Sequence, residues 1–227
     1  MNGPIAQAVA LTCHGNAVIR GLSSSSNFMK NSTCQFCDSV TFVQLANNKD
    51  GGSSEIAVAD TPDEWLGRLS AKRAQGLMLY RTPQNDPNFP DRLSAGFVGG
   101  GGTWTIEVIL NYGRTEYWIA RWHVWNRDVP QQKIRRVTYG LIGTGVIMMR
   151  QMRTLEQVKI DFQEALEDIH DFSRRNDCGG FTGCFADALA ALKDPKADIG
   201  YHNDLYPNGA LPEIAASLLK AAMASWV

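Results

Sequence analysis

The chain has 227 residues, a hydrophobic fraction of 44% and a net charge of −1. That length buries enough surface for a stable core without covalent staples, and the near-neutral charge argues against a nucleic-acid partner held through its phosphates. No apolar run approaches the roughly 18 residues a membrane span needs, so no membrane partner is expected. Met1 to Leu22 has no basic residue before Arg20, and its apolar run Ala8–Leu11 is too short for a secretory signal. Five cysteines, an odd number, point to free thiols in a reducing compartment rather than a disulfide framework. The expectation is a cytoplasmic protein folded as a single globular domain over residues 1–227.

In chain order, residues 4–20 read as a helix, with Pro4 in the first turn and Ile5, Ala8, Val9, Cys13 and Ala17 on one face. The Ser/Asn-rich stretch 21–38 reads as loop. Strands are expected near 39–45 and 55–59. Thr61-Pro62-Asp63-Glu64 is a helix start, because Thr61 can cap the N–H of Glu64, Glu64 can reach back, and Pro62 fits the first helical position. That helix reads on toward Gly76 and a strand near 77–80 follows. A strand–helix–strand unit of this length allows a parallel crossover. Pro83, Pro87, Pro90 and Gly99–Gly102 mark a long connector over 82–102, and no Gly-Lys-Ser/Thr follows to make it a phosphate loop.

Residues 103–142 read as a three-stranded meander, rich in aromatic and β-branched residues. Thr154 and Gln157 form a capping box, and Leu155, Val158, Phe162, Leu166, Ile169 and Phe172 make an apolar helical stripe. Two further helices are expected over 181–192 and 211–226. The fold class is therefore α+β: a largely antiparallel sheet (the meander 103–142 plus strands near 39–45, 55–59 and 77–80) with helices packed on one face.

Strand alternation sorts the meander into two faces. Trp104, Ile106, Val108, Leu110, Trp118, Ala120, Trp122 and Val124 form an apolar face, expected beneath the helix over 155–172. The opposite face carries Glu107, Tyr117, Arg121, His123, Trp125 and Arg136, a mixture suited to a polar pocket or a docking surface. Residues 114–153 hold eight Arg or Lys against two acids. That local excess points to an anionic small molecule or a protein partner on the basic, aromatic sheet face. The candidate ligand-binding residues are Glu107, Tyr117, Arg121, His123 and Arg136, expected around one concavity. The leading function is a non-catalytic binding or accessory module that needs no cofactor. One alternative is a cofactor-free hydrolase or lyase, with His123 as general acid/base and Glu107 orienting it.

The cysteines offer a third possibility. Cys34-Gln35-Phe36-Cys37 is a Cys-x-x-Cys that could join Cys13 and His14 around zinc or act through its thiols. The spacing lacks paired ligands at both ends, so no metal site is assigned. Cys178 and Cys184 read as packing residues and His170 as a solvated helix residue. The oxygens around His202, from Asp198 to Asp204, do not have calcium-loop spacing. No nucleophile elbow, zinc-protease or dinucleotide motif is present, and no catalytic residue is assigned.

Overall fold

A computed structural model of the chain describes residues 3–23, 27–47, 53–82, 103–127, 132–146, 153–194 and 202–225. The connector signals Pro83, Pro87, Pro90 and Gly99–Gly102 lie outside the described residues, as does most of the oxygen-rich stretch before His202. Two compact units are present, Pro4–Met148 and Met149–Val227 with Met1–Gly3.

The first unit is built on a six-stranded sheet. Its elements are α1 (Gly3–Ile19), β1 (Cys37–Asn47), β2 (Ser53–Ala59), α2 (Pro62–Ala71), β3 (Gly76–Thr82), β4 (Thr103–Ile109), β5 (Arg114–Val124) and β6 (Arg135–Val146). Strand order is β2-β1-β6-β5-β4-β3. Every pair is antiparallel except β1 with β6. The fold class is thus α+β with a largely antiparallel sheet, and α1 and α2 pack on one face of it.

The local signals explain the elements. Thr61 Oγ1 accepts the Glu64 N–H at 3.1 Å, and Glu64 Oε2 accepts the Asp60 N–H at 2.9 Å, satisfying two donors at the start of α2. The helix ends at Ala71 rather than near Gly76, because Arg73 turns into the left-handed region at φ 54° and breaks the helical path. The connection from β2 to β3 spans the whole sheet. β2 and β3 run in the same direction but occupy opposite edges of the sheet, with four strands between them. Their connection lays α2 across the sheet, and Trp65 of α2 lands on Phe42 at 4.5 Å and on Trp118 at 5.6 Å between ring centroids.

Trp118 is therefore covered by α2; the helix over 155–172, which its apolar pattern suggested as the cover, belongs to the second unit. Trp104 stays 38% exposed, and Trp122 is only half-buried. Helix α1 packs on the same face, beside α2 and β3. Gly15 meets Leu66 and Leu77 so closely that a Cβ there would lie 3.1 Å from their methyl groups. Asn16 brackets the backbone of Leu77, donating to its oxygen at 2.9 Å and accepting from its nitrogen at 2.8 Å. β3 is an edge strand, and this clasp blunts an otherwise open hydrogen-bonding edge.

The second unit is helical: α3 (Leu155–Arg175), α4 (Gly179–Lys193) and α5 (Glu213–Ala224). Thr154 caps α3 by accepting the Gln157 N–H at 3.1 Å, while the Gln157 side chain turns forward to Asp161 instead of back to the cap. Leu166 of α3 is buried with Ala188, Ala191 and Leu192 of α4 and Ala221 of α5, and Phe162 packs against them. The rest of the stripe divides: Leu155, Ile169 and Phe172 are exposed. No helix among the described residues is long and apolar enough to cross a membrane.

Candidate functional site

The face of the sheet opposite α1 and α2 carries all five residues singled out in the sequence. Glu107 on β4 stands directly opposite Tyr117 on β5, and His123 on β5 directly opposite Arg136 on β6. Arg121 lies between, opposite Thr138. Two groups result rather than one cluster. Tyr117 and His123 are six residues apart on one strand, roughly 20 Å at the usual rise.

The first group is buried. Glu107 is 2% exposed, and Tyr117 clusters with Ile119 and Ile142 against Leu45 and Tyr80. Room for the Tyr117 ring comes from β6, which presents Gly143 opposite Tyr117 and Gly145 beside it. A Cβ on Gly145 would stand 3.2 Å from Tyr117 Cε2. The pairing of β5 with β6 shifts between Tyr117 and Trp118. That irregularity, a bulge in kind, leaves Ile142 as the extra residue of β6, between Leu141 opposite Trp118 and Gly143 opposite Tyr117.

The second group is exposed and basic. Arg121 Nη1 pairs with Glu55 of β2 at 2.8 Å, and Arg136 Nε with Asp38 of β1 at 2.9 Å. Each arginine thus has its own carboxylate, supplied by strands distant in sequence. The Arg136 guanidinium also lies 4.0 Å from the centre of the Trp125 ring, within cation–π range. Trp125 is fixed by its indole N–H, which donates to the Lys133 carbonyl at 3.1 Å. On the other side of the same hairpin end, Arg135 stands 6.0 Å over Trp122. Among the described residues Arg127, Lys133 and Arg135 have no carboxylate in salt-bridge reach. The hairpin end therefore keeps a positive excess after Arg121 and Arg136 are paired.

A cleft of about 630 Å³, marked by no sequence motif, opens at the opposite end of β5 and β6, lined by Lys72, Arg114, Thr115, Glu116 and Thr144 among others. Glu116 is buried there, paired with Lys72 at 2.7 Å and accepting the Trp118 indole N–H at 3.3 Å. Thr115 is 1% exposed, and its hydroxyl has no hydrogen-bond partner among the described residues. A buried hydroxyl without a partner costs about 1–3 kcal/mol. Thr115→Val keeps the shape and removes that group, so the variant should unfold at the same denaturant midpoint as the parent or a higher one. A midpoint lowered by more than about 1 kcal/mol in stability would show the hydroxyl to be bonded in solution.

Of the proposed zinc ligands, Cys34 and Cys37 come together. Cys34 ends a 3-10 turn, Ser32–Cys34, and Cys37 opens β1. Gln7 Nε2 of α1 reaches both sulfurs, at 3.4 and 3.6 Å. Among the described residues no such donor reaches Cys13, and burial pushes its thiol up to about 11. No group of three or more potential metal ligands gathers among the described residues.

A mixed α+β sheet protein is the class these features define. No family model matches the chain, and neither a curated protein nor a solved structure is found to be similar to it.

Proposed function

We propose that the protein is a non-catalytic binding module that takes an anionic group, carried by a small molecule or a partner protein, at the exposed end of the β5–β6 hairpin. The observation that carries this reading is the Arg136–Trp125 contact. Asp38 holds Arg136 through Nε, and the guanidinium carbon lies over the Trp125 ring. The guanidinium is oriented before any ligand arrives, and its Nη edge is not engaged by any described residue. A pre-oriented fork of this kind suits carboxylate or phosphate oxygens. Lys133, which has no carboxylate in salt-bridge reach among the described residues, adds positive potential.

A hydrolase or lyase built on His123 and Glu107 is less well supported, since Glu107 pairs with Tyr117 at the buried end and cannot orient an imidazole roughly 20 Å along the strand. A cytoplasmic setting suits the five free cysteines.

Titration with inorganic phosphate, citrate and an acidic peptide, followed by Trp fluorescence, tests the proposal. At least one should bind saturably, with affinity that falls as salt rises. Arg136→Ala should weaken it about tenfold or more, as expected for a lost charge-assisted hydrogen bond, while the thermal midpoint stays close to that of the parent. Binding that is indifferent to Arg136→Ala would refute the site.

A further inference from the structure

Helix α1 buries a run of apolar residues, Ala6, Ala8, Val9, Ala10 and Leu11, and in their midst Gln7, which has no exposed surface. A buried amide is costly unless its groups are satisfied. Gln7 accepts the Tyr139 hydroxyl at its Oε1, 3.2 Å away, and directs its Nε2 between the sulfurs of Cys34 and Cys37. A neutral thiol is a weak acceptor and repays such a donor poorly. A thiolate repays it well, because the hydrogen bond is then charge-assisted.

The surroundings divide the proton unequally. Cys37 stands opposite Arg135 of β6 in the sheet. Hydrogen bonding between the two thiols holds Cys37 below the usual thiol range and pushes Cys34 above it, with burial adding to that rise. The same thiol bond, the Gln7 amide and the positive charge of Arg135 and Lys133 all favour a Cys37 thiolate, against the opposing effect of burial. Neither cysteine is in a disulfide. The pair therefore has close sulfurs, a shared donor and one sulfur suited to attack.

We propose that Cys34 and Cys37 form a redox-active dithiol that a small peroxide oxidises to an intrachain disulfide, with Cys37 as the attacking sulfur and Cys34 as the resolving one. The oxidant must be small, because Cys34 is 1% and Cys37 0% exposed. A glutathione-sized or protein disulfide cannot reach either sulfur without opening the fold. In the first step the Cys37 thiolate forms a bond to one oxygen of hydrogen peroxide and the O–O bond breaks. Hydroxide leaves and takes up the solvent proton that Cys37 had released, giving water and a sulfenic acid on Cys37. In the second step the Cys34 sulfur attacks Cys37. The S–S bond forms, the S–O bond breaks, and the departing hydroxyl leaves as a second water with the Cys34 proton. The two cysteines lose two electrons and the peroxide gains them.

Both cysteines fall in one tryptic peptide, Asn31–Lys49, so the reaction is readable by mass. The reduced full chain should be treated with near-stoichiometric hydrogen peroxide, alkylated under denaturing conditions and digested. The expected result is loss of two hydrogens from that peptide, reversed by dithiothreitol, before Cys13 is oxidised. Cys34→Ser should stop at a sulfenic acid on Cys37, trapped by dimedone, and Cys37→Ser should leave Cys34 reduced. Gln7→Leu should slow the wild-type reaction about tenfold or more, as expected for a lost hydrogen bond to a charged group. If the wild-type peptide stays reduced while Cys13 oxidises, or Cys37 goes to sulfinic acid without a disulfide, the proposal is wrong, whether or not the variants fold.

Discussion

Trp118→Ala should lower the stability of the sheet unit by about 3–5 kcal/mol, the range for deleting a large buried aromatic. Trp118 is 1% exposed, and its ring meets Phe42 and Trp65 edge-on at 5.9 and 5.6 Å. Phe42 also stacks on Tyr139 at 5.2 Å, so four aromatic side chains from α2, β1, β5 and β6 share one cluster. Truncation opens a cavity that the three remaining rings, on α2, β1 and β6, cannot close by small shifts. It also removes the indole N–H that donates to the buried Glu116. Trp104→Ala is the contrasting variant, since its side chain is 38% exposed and it should cost much less. Urea unfolding followed by circular dichroism checks the pair. Equal midpoints for the two variants would mean that the aromatic cluster does not organise the core.

Leu166→Ala should cost the helical unit about 2–5 kcal/mol. Leu166 is the residue of the α3 stripe that is buried, at 3% exposure, and it meets small residues on both neighbouring helices. Alanines at 188, 191 and 221 let the helices approach closely, so few side chains can swing into the space a missing leucine leaves. Phe172→Ala, on the same stripe but 53% exposed, should change stability far less. The comparison matters because helical periodicity treats the two positions alike. Thermal unfolding by circular dichroism at 222 nm reports the difference, and a Phe172→Ala loss as large as that of Leu166→Ala would overturn the burial assignment.

How much was readable beforehand depended on the range of the interaction. The start of α2 was legible because Thr61, Pro62 and Glu64 act on backbone groups within three or four residues. The Thr154 cap of α3 was legible for the same reason. The meander could be read as well, since β4, β5 and β6 follow one another and their alternation is carried by consecutive residues. The sharing of one face by Glu107, Tyr117, Arg121, His123 and Arg136 follows from that alternation.

The sequence by itself thus determined the elements, their caps and the two faces of the meander. Only the tertiary structure decided that β1 runs parallel beside β6, with β2 and β3 on opposite edges. That arrangement brings Asp38 to Arg136 across 98 residues and Glu55 to Arg121 across 66. It also makes α2 the cover for Trp118 and brings Gln7 to Tyr139 across 132 residues. None of these pairings leaves a local trace, because periodicity records which way a side chain points and not which strand lies beside it. The neighbours are chosen when the whole sheet buries its apolar face, and the partners of each charge follow from that choice.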